Sequence, residues 1–201
     1  MSYFNFTRHQ WIIFCFSLLY VAGFSIYFIA QADYEFLWYV AVMIFFFSLL
    51  VATLPASRFS PLILWGLSIW GLLHMAGGSI PVGDTVLYGL QLIPLHTDGE
   101  FTFIKYDQIV HAFGFAVATL VAHHLLAPRW KEGASKVLLY ALAVGVGMGL
   151  GALNEIVEFI AVVVVPDTGV GGYFNTGLDL VANMIGAVSA VCIIALRDSR
   201  K

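Results

Sequence analysis

Apolar residues fall into six long blocks along this chain, at about 10–31, 36–54, 60–78, 105–127, 135–165 and 178–197. A helix needs roughly 20 mostly apolar residues to cross a hydrocarbon layer, and each block meets or nearly meets that length. The pattern predicts an all-α integral membrane bundle of six transmembrane helices, forming a single domain over residues 1–201. All six prolines, Pro55, Pro61, Pro81, Pro94, Pro128 and Pro166, sit at or beyond block edges. A residue without an N–H is best tolerated there. The first block needs one check, because Arg8 precedes it and Ala30-Gln31-Ala32 imitates a cleavage signal. A signal h-region is only roughly 7–15 residues long, so this longer run is expected to be a retained first helix.

Composition agrees. The chain is 61% hydrophobic and 10% charged, with mean hydropathy +0.91, whereas soluble domains carry about 25% charged residues. A net charge of -3 without a basic patch gives no sign of a nucleic-acid partner, and none is expected. Cys15 and Cys192 lie inside apolar runs without disulfide or metal spacing, and are expected to serve as small apolar packing residues.

Charge sets the orientation. In a six-span arrangement Arg8, Arg58, Arg129, Lys131, Lys136, Arg197, Arg200 and Lys201 fall on one side, and only Lys105 of the nine basic residues falls on the other. The positive-inside rule then places both termini in the cytoplasm. Loops 32–35, 79–104 and 166–177 face outward and carry Asp33, Glu35, Asp84, Asp98, Glu100 and Asp167. Loop 79–104 is long and rather apolar. It is expected either to form a short strand pair or interfacial helix over the outer mouth, or simply to rest on the headgroups.

Gly145, Gly147, Gly149 and Gly151 make two small-xxx-small pairs in the fifth block. Such pairs let helix backbones approach closely, although four glycines could also weaken the helix.

The chemistry lies in the polar residues inside these blocks. His74 ends the third; Asp107 and His111 open the fourth; Asn154, Glu155 and Glu158 lie about 20 residues into the fifth; Asp179 and Asn183 open the sixth. With alternating directions and a rise of about 1.5 Å per residue, all reach one level near the outer surface. Spacings of three or four residues put each pair on one helix face. Asp107, His111, Gly114, Ala118 and Asp179, Asn183, Gly186, Ala190 repeat the same offsets, a faint internal repeat or two similar packing faces. His123 and His124 sit near the inner end and are expected to be interfacial.

Ionisable residues in hydrocarbon are costly, and they pair, line a cavity or work. Four carboxylates with two imidazoles form a ligand set of the kind that holds one or two divalent metal ions. Candidate metal ligands are His74, His111, Glu155, Glu158 and Asp179. Candidate catalytic residues are Asp107, His111, Glu155, Glu158, Asp179 and Asn183. Without a metal, acids this close cannot all ionise, and one would be left to act as a general acid. Plainer roles remain open. Asp107 and His111 could neutralise each other, Asp107 or Asp179 could favour a helix dipole, and Glu158 could reach the headgroups.

The stretches His74-x-x-Gly77-Gly78, Leu87-Tyr88, Tyr106-Asp107-x-x-x-His111, Asn154-Glu155-x-x-Glu158 and Asp179-x-x-x-Asn183-x-x-Gly186 resemble the YjdF-like bacterial inner-membrane proteins over about residues 60–195. More loosely, the last three helices resemble VanZ-like membrane proteins. This chain departs from the latter: no Arg lies between Glu158 and Asp179, and Glu158 stands where an amide is usual. The first resemblance implies a multi-pass protein of the bacterial inner membrane, and the second implies cell-envelope biology.

Together these readings lead to an outward-facing membrane hydrolase or transferase acting on a lipid or lipid-linked envelope substrate, with membrane lipids as its surroundings. His111 would be metal ligand or general base, oriented by Asp107. Two alternatives stand beside it: a small transporter or proton-coupled carrier, and a non-catalytic envelope scaffold.

Overall fold

The computed structural model describes residues 6–93, 104–165, 169 and 171–200. Pro94, Asp98, Glu100, Pro166, Asp167 and Lys201, and with them part of the outer loops, lie outside the described residues. Six helices are long and apolar enough to cross a membrane: α1 (Arg8–Gln31), α2 (Tyr34–Ser57), α3 (Pro61–Ser79), α4 (Tyr106–Leu126), α5 (Lys136–Val164) and α6 (Tyr173–Asp198). Each start has a local cause. Thr7 and Gln10 form a capping box on α1, Asp33, Ser60 and Ser135 cap α2, α3 and α5, and Pro61 occupies the first turn of α3. Two connections are very short, because Ala32 and Arg58 close α1 and α2 in the left-handed conformation.

Contacts at the two ends show that the helices alternate in direction. At one end His124 Nε2 donates to Ser57 O at 2.9 Å, Tyr140 Oη donates to Asp198 Oδ2 at 2.9 Å, and Ile13, Leu54 and Ile63 share a core. At the other, Phe28, Phe36, Tyr39, Met75 and Ala161 share a second core. The start of α1 and the end of α6 therefore lie together, along with every described basic residue except Lys105. His123 and His124 are at that end too, His123 against the Tyr140 ring and His124 against Phe59.

Three boundaries differ from the hydrophobic blocks. Helix α2 runs through Pro55 to Ser57, so this proline sits inside the last turn. Helix α6 starts at Tyr173, five residues before its block, after Gly172. Asp179 is therefore no N-terminal cap but lies two turns in. Helix α5 is continuous through its glycines. Of these, Gly147 faces Thr119 and Gly151 faces Asn183, whereas Gly145 and Gly149 face open space; only one of the two spaced pairs mediates packing. Both cysteines are exposed on the helix surfaces rather than packed inside.

The outer loop forms a strand pair, β1 (Pro81–Val82) against β2 (Thr85–Val86), with Gly83 at φ 57° in the turn. A 3-10 turn follows at Leu87–Gly89. The loop is tied to the start of α4, where Tyr106 N donates to Leu90 O at 2.9 Å and Gln91 bridges Lys105. It lowers Tyr88 onto the end of α3. Gly77 makes room for the Tyr88 ring, and Gly78 for Phe36.

These glycines separate two outcomes. Alanine at Gly78 must displace an aromatic ring in a packed core, which costs about 1–3 kcal/mol. Alanine at Gly149 meets nothing and should be neutral or stabilise by up to about 1 kcal/mol through helix propensity. Thermal unfolding of the two purified variants in detergent checks the contrast: Gly78→Ala melts lower than the parent, and Gly149→Ala does not.

Candidate functional site

The most extensive helix interface in the molecule joins α4 and α6. Gly186 makes it possible, because a Cβ there would run into the backbone carbonyl of Ala112. With the backbones this close, short polar side chains reach across. His111 Nδ1 lies 3.0 Å from Asn183 Oδ1, and Gln108 Nε2 donates to Asp179 Oδ1 at 2.7 Å. Gln108 Oε1 also accepts from the Lys105 backbone N–H at 2.7 Å, so one amide joins the start of α4 to α6. Asn175, one turn before Asp179, donates to Asp179 Oδ2 at 2.6 Å and to Asp107 Oδ2 at 3.3 Å. Lys105 Nζ donates to Asn175 Oδ1 at 3.5 Å at the rim. Asp179 and Asn183 are fully buried.

Helix α5 supplies the third wall. Glu155 Oε1 is 3.6 Å from His111 Nδ1, and Glu158 Oε1 is 3.9 Å from His111 Nε2. Asp107 Oδ1 is 3.6 Å from Nε2 on its own helix. Asn154 Nδ2 holds Glu158 Oε1 at 2.7 Å. With Asn183 Oδ1 as acceptor the imidazole carries a proton on Nδ1, and Nε2 faces Asp107 and Glu158. Asn183 is thus a positioning residue for the ring.

These side chains form two overlapping groups whose ligand atoms lie within 4.8 Å of one another: Asp107, His111 and Asp179, and His111, Glu155 and Glu158. They are close enough to hold a metal ion. Donors roughly 2.1 Å from a tetrahedral ion lie about 3.4 Å apart. The His111–carboxylate separations of 3.6–3.9 Å are near that value and too long for hydrogen bonds. Glu155 differs from Asp179 in one respect. Both Asp179 oxygens accept amide N–H groups, whereas Glu155 is only 8% exposed and neither of its oxygens has a hydrogen-bond partner among the described residues. A buried ionised carboxylate without a donor or a cation costs several kcal/mol.

His74 stands apart from both groups. Its Nδ1 is hydrogen-bonded to Tyr88 Oη, and its ring packs against Tyr39 and Phe36. Burial first, then the nearby Asp107 carboxylate, hold the Tyr88 phenol well above its ordinary value of 10.0. Tyr88 is thus the donor and His74 Nδ1 the acceptor. Sequence reasoning put His74 among the ligands. The structure instead seats it one layer outward, beneath the hairpin. Sequence reasoning also passed over Gln108 and Asn175, and took Tyr88 only as part of the Leu87-Tyr88 stretch. The signal for Asn175 was present, since Asn175, Asp179 and Asn183 follow one another at four-residue steps along a helix face.

Beside the cluster runs a cavity of about 450 Å³, whose polar end is formed by Glu158, Asn154, His74 and Tyr39. The buried Tyr39 hydroxyl has no hydrogen-bond partner among the described residues.

Six membrane-spanning helices around a buried carboxylate–imidazole centre define an integral membrane protein with polar chemistry set inside the bundle. Residues 12–200 match the family described as predicted membrane protein (DUF2238), and the chain belongs to that family. No curated protein and no solved structure matches it.

Two measurements follow from the bonding pattern. Asp179→Leu leaves two amide donors buried and unpaired, and should destabilise the protein by about 2–5 kcal/mol; Asn175→Ala, which removes one partner, should cost about 1–2 kcal/mol. Unfolding of both variants tests the order. For Tyr88, a raised phenol means its protonated form, and the contact to His74, persists as pH rises through 10.0. Tyr88→Phe should then leave the tyrosinate absorbance gained near that pH unchanged. A lost increment equal to one tyrosine would show that Tyr88 ionises normally.

Proposed function

We propose that this protein is a metal-dependent hydrolase or transferase acting on a lipid or lipid-linked envelope substrate. The supporting observation is Glu155. Its two buried oxygens have no hydrogen-bond donor among the described residues, one of them lies 3.6 Å from an imidazole nitrogen, and two further carboxylates flank the same ring. A divalent cation between Glu155, Glu158 and the His111 ring would supply what the Glu155 oxygens lack. His111, Glu155 and Glu158 would hold it, with Asp107 3.6 Å from Nε2 of the same ring and Asn183 fixing that ring. Bound there, an ion of this kind polarises a carbonyl or phosphoryl oxygen and makes a nucleophile of water.

The amide-bonded Asp179 is read as the tie between α4 and α6 and a neighbour of the Asp107 side, rather than as the principal ligand. His74, with Tyr88, is read as an acid–base group at the outer edge.

The charge distribution supports a site opening away from the cytoplasm. Seven described Lys and Arg residues gather at the far end of the bundle, and Lys105 stands alone at the site's rim. This orientation, and the YjdF-like resemblance, support a location in a bacterial inner membrane with the site toward the envelope. A transport role is less well supported, because beyond Glu158 and His74 the cavity is lined mainly by apolar side chains. A scaffold role would account for Asp179 but gives Glu155 no partner.

Elemental analysis tests the reading. The purified parent should carry a stoichiometric divalent metal, and His111→Ala and Glu155→Gln should lose at least about tenfold of it while remaining folded. A parent that stays metal-free after exposure to zinc, manganese and magnesium would overturn the proposal.

A further inference from the structure

The cavity beside the cluster has a shape that the site chemistry alone does not explain. It starts at Glu158, His74 and Tyr39 and descends between α1, α2, α3, α4 and α5 to Leu64, Thr53 and Phe59 near the far end. From His74 to Leu64 along α3 the descent is about 15 Å. The lining is mainly aliphatic and aromatic. The few polar groups on the way are largely satisfied internally, Ser17 and Ser68 by each other at 2.6 Å and Thr53 by its own helix.

The cavity also has a side opening. Helices α2 and α5 meet at the site end, where Phe36 and Tyr39 pack with Val157 and Ala161. Lower down they part. There Phe46 and Leu49 of α2 and Leu150 and Leu153 of α5 line the cavity, yet they are 45%, 49%, 38% and 42% exposed. Side chains that line a cavity and also face outward mark its mouth. In spanning helices this mouth faces hydrocarbon, not water.

Resting on the functional reading above, we infer that the cavity receives one hydrocarbon chain of a membrane lipid, which enters sideways between α2 and α5 and sets its polar head at Glu158, His74 and Tyr39. The size fits a single chain. A cavity of about 450 Å³ that descends about 15 Å along α3 admits one chain lying lengthwise. The second chain of a diacyl lipid stays in the bilayer. Entry costs little, because the chain passes from one apolar medium to another. By the same token the chain contributes placement rather than affinity, and the polar end decides which lipid is retained.

Photolabelling tests this in the full-length protein, reconstituted in phosphatidylcholine vesicles containing a trace of the same lipid with a diazirine midway along one chain. Labels are expected on Leu67 and Ser68, which line the cavity, as well as on the outward-facing Leu19 and Val137. Leu153→Trp, and independently Leu49→Trp, should lower labelling of Leu67 and Ser68 by about tenfold, with Leu19 labelling and metal content unchanged. Labels confined to Leu19 and Val137, or interior labelling undiminished in both tryptophan variants, would overturn the inference. Metal content reports on the reaction centre and labelling on the cavity, so each reading fails separately.

Discussion

The buried polar cluster of this bundle depends on the close approach of α4 and α6. Gly186 lets the two backbones touch at Ala112, and only at that distance can His111 meet Asn183 and Gln108 meet Asp179. In water, burial of apolar faces would drive such packing. In hydrocarbon that force is absent, so close van der Waals contact and interhelical hydrogen bonds carry it. A larger side chain at this point would part the helices and leave a fully buried Asp179 without its partners. The repeated offsets in α4 and α6 gain a physical meaning here. Asp107 pairs through Asn175 with Asp179, and His111 bonds Asn183, so matching positions face each other. The glycines do not match in use, since Gly114 accommodates Trp70 while Gly186 accommodates backbone.

The same low dielectric sorts the carboxylates. A carboxylate buried with donors on both oxygens is a structural tie, and Asp179 is one. Glu158 is held by Asn154 and touches both the cluster and the cavity. Glu155 has the geometry of a ligand and lacks the donors of a tie. Four acids that looked alike along the chain therefore have different surroundings, and those surroundings decide what chemistry each can support.

The helices were legible because their signal is long and redundant: six apolar blocks, with charge at one end. Boundaries were less so. Gly171, Gly172 and Gly177 broke the hydropathy at the start of α6, which hid a turn and a half of helix and with it the place of Asn175 beside Asp179. Pro55 was read as a stop, yet a proline late in α2 still allowed the chain to end in a left-handed cap at Arg58. For the site, spacing within each helix correctly put acids and imidazole on shared faces, but rotation between helices is not written in any one segment. That is why His74 was grouped with the cluster. Its partner is set by the fold of a hairpin, for which Gly77 makes room at Tyr88 as Gly78 does for Phe36.

The cavity and the cluster constrain each other. An apolar slot inside a membrane cannot choose among lipids by hydrophobicity, because each tail is equally at home outside it. Any selectivity must come from the few groups at its end, and those are Glu158, Asn154, His74 and Tyr39. Glu158 is common to both features, at 3.9 Å from His111 on one side and in the cavity wall on the other. On the proposed reading this shared carboxylate fixes where the reacting bond must lie: at the junction of tail and head, about as deep as His111. A substrate whose labile bond lies farther out along its head would fill the slot and leave that bond beyond the ion's reach, so the depth of the cavity, rather than its chemistry, sets the limit on what the centre can act upon.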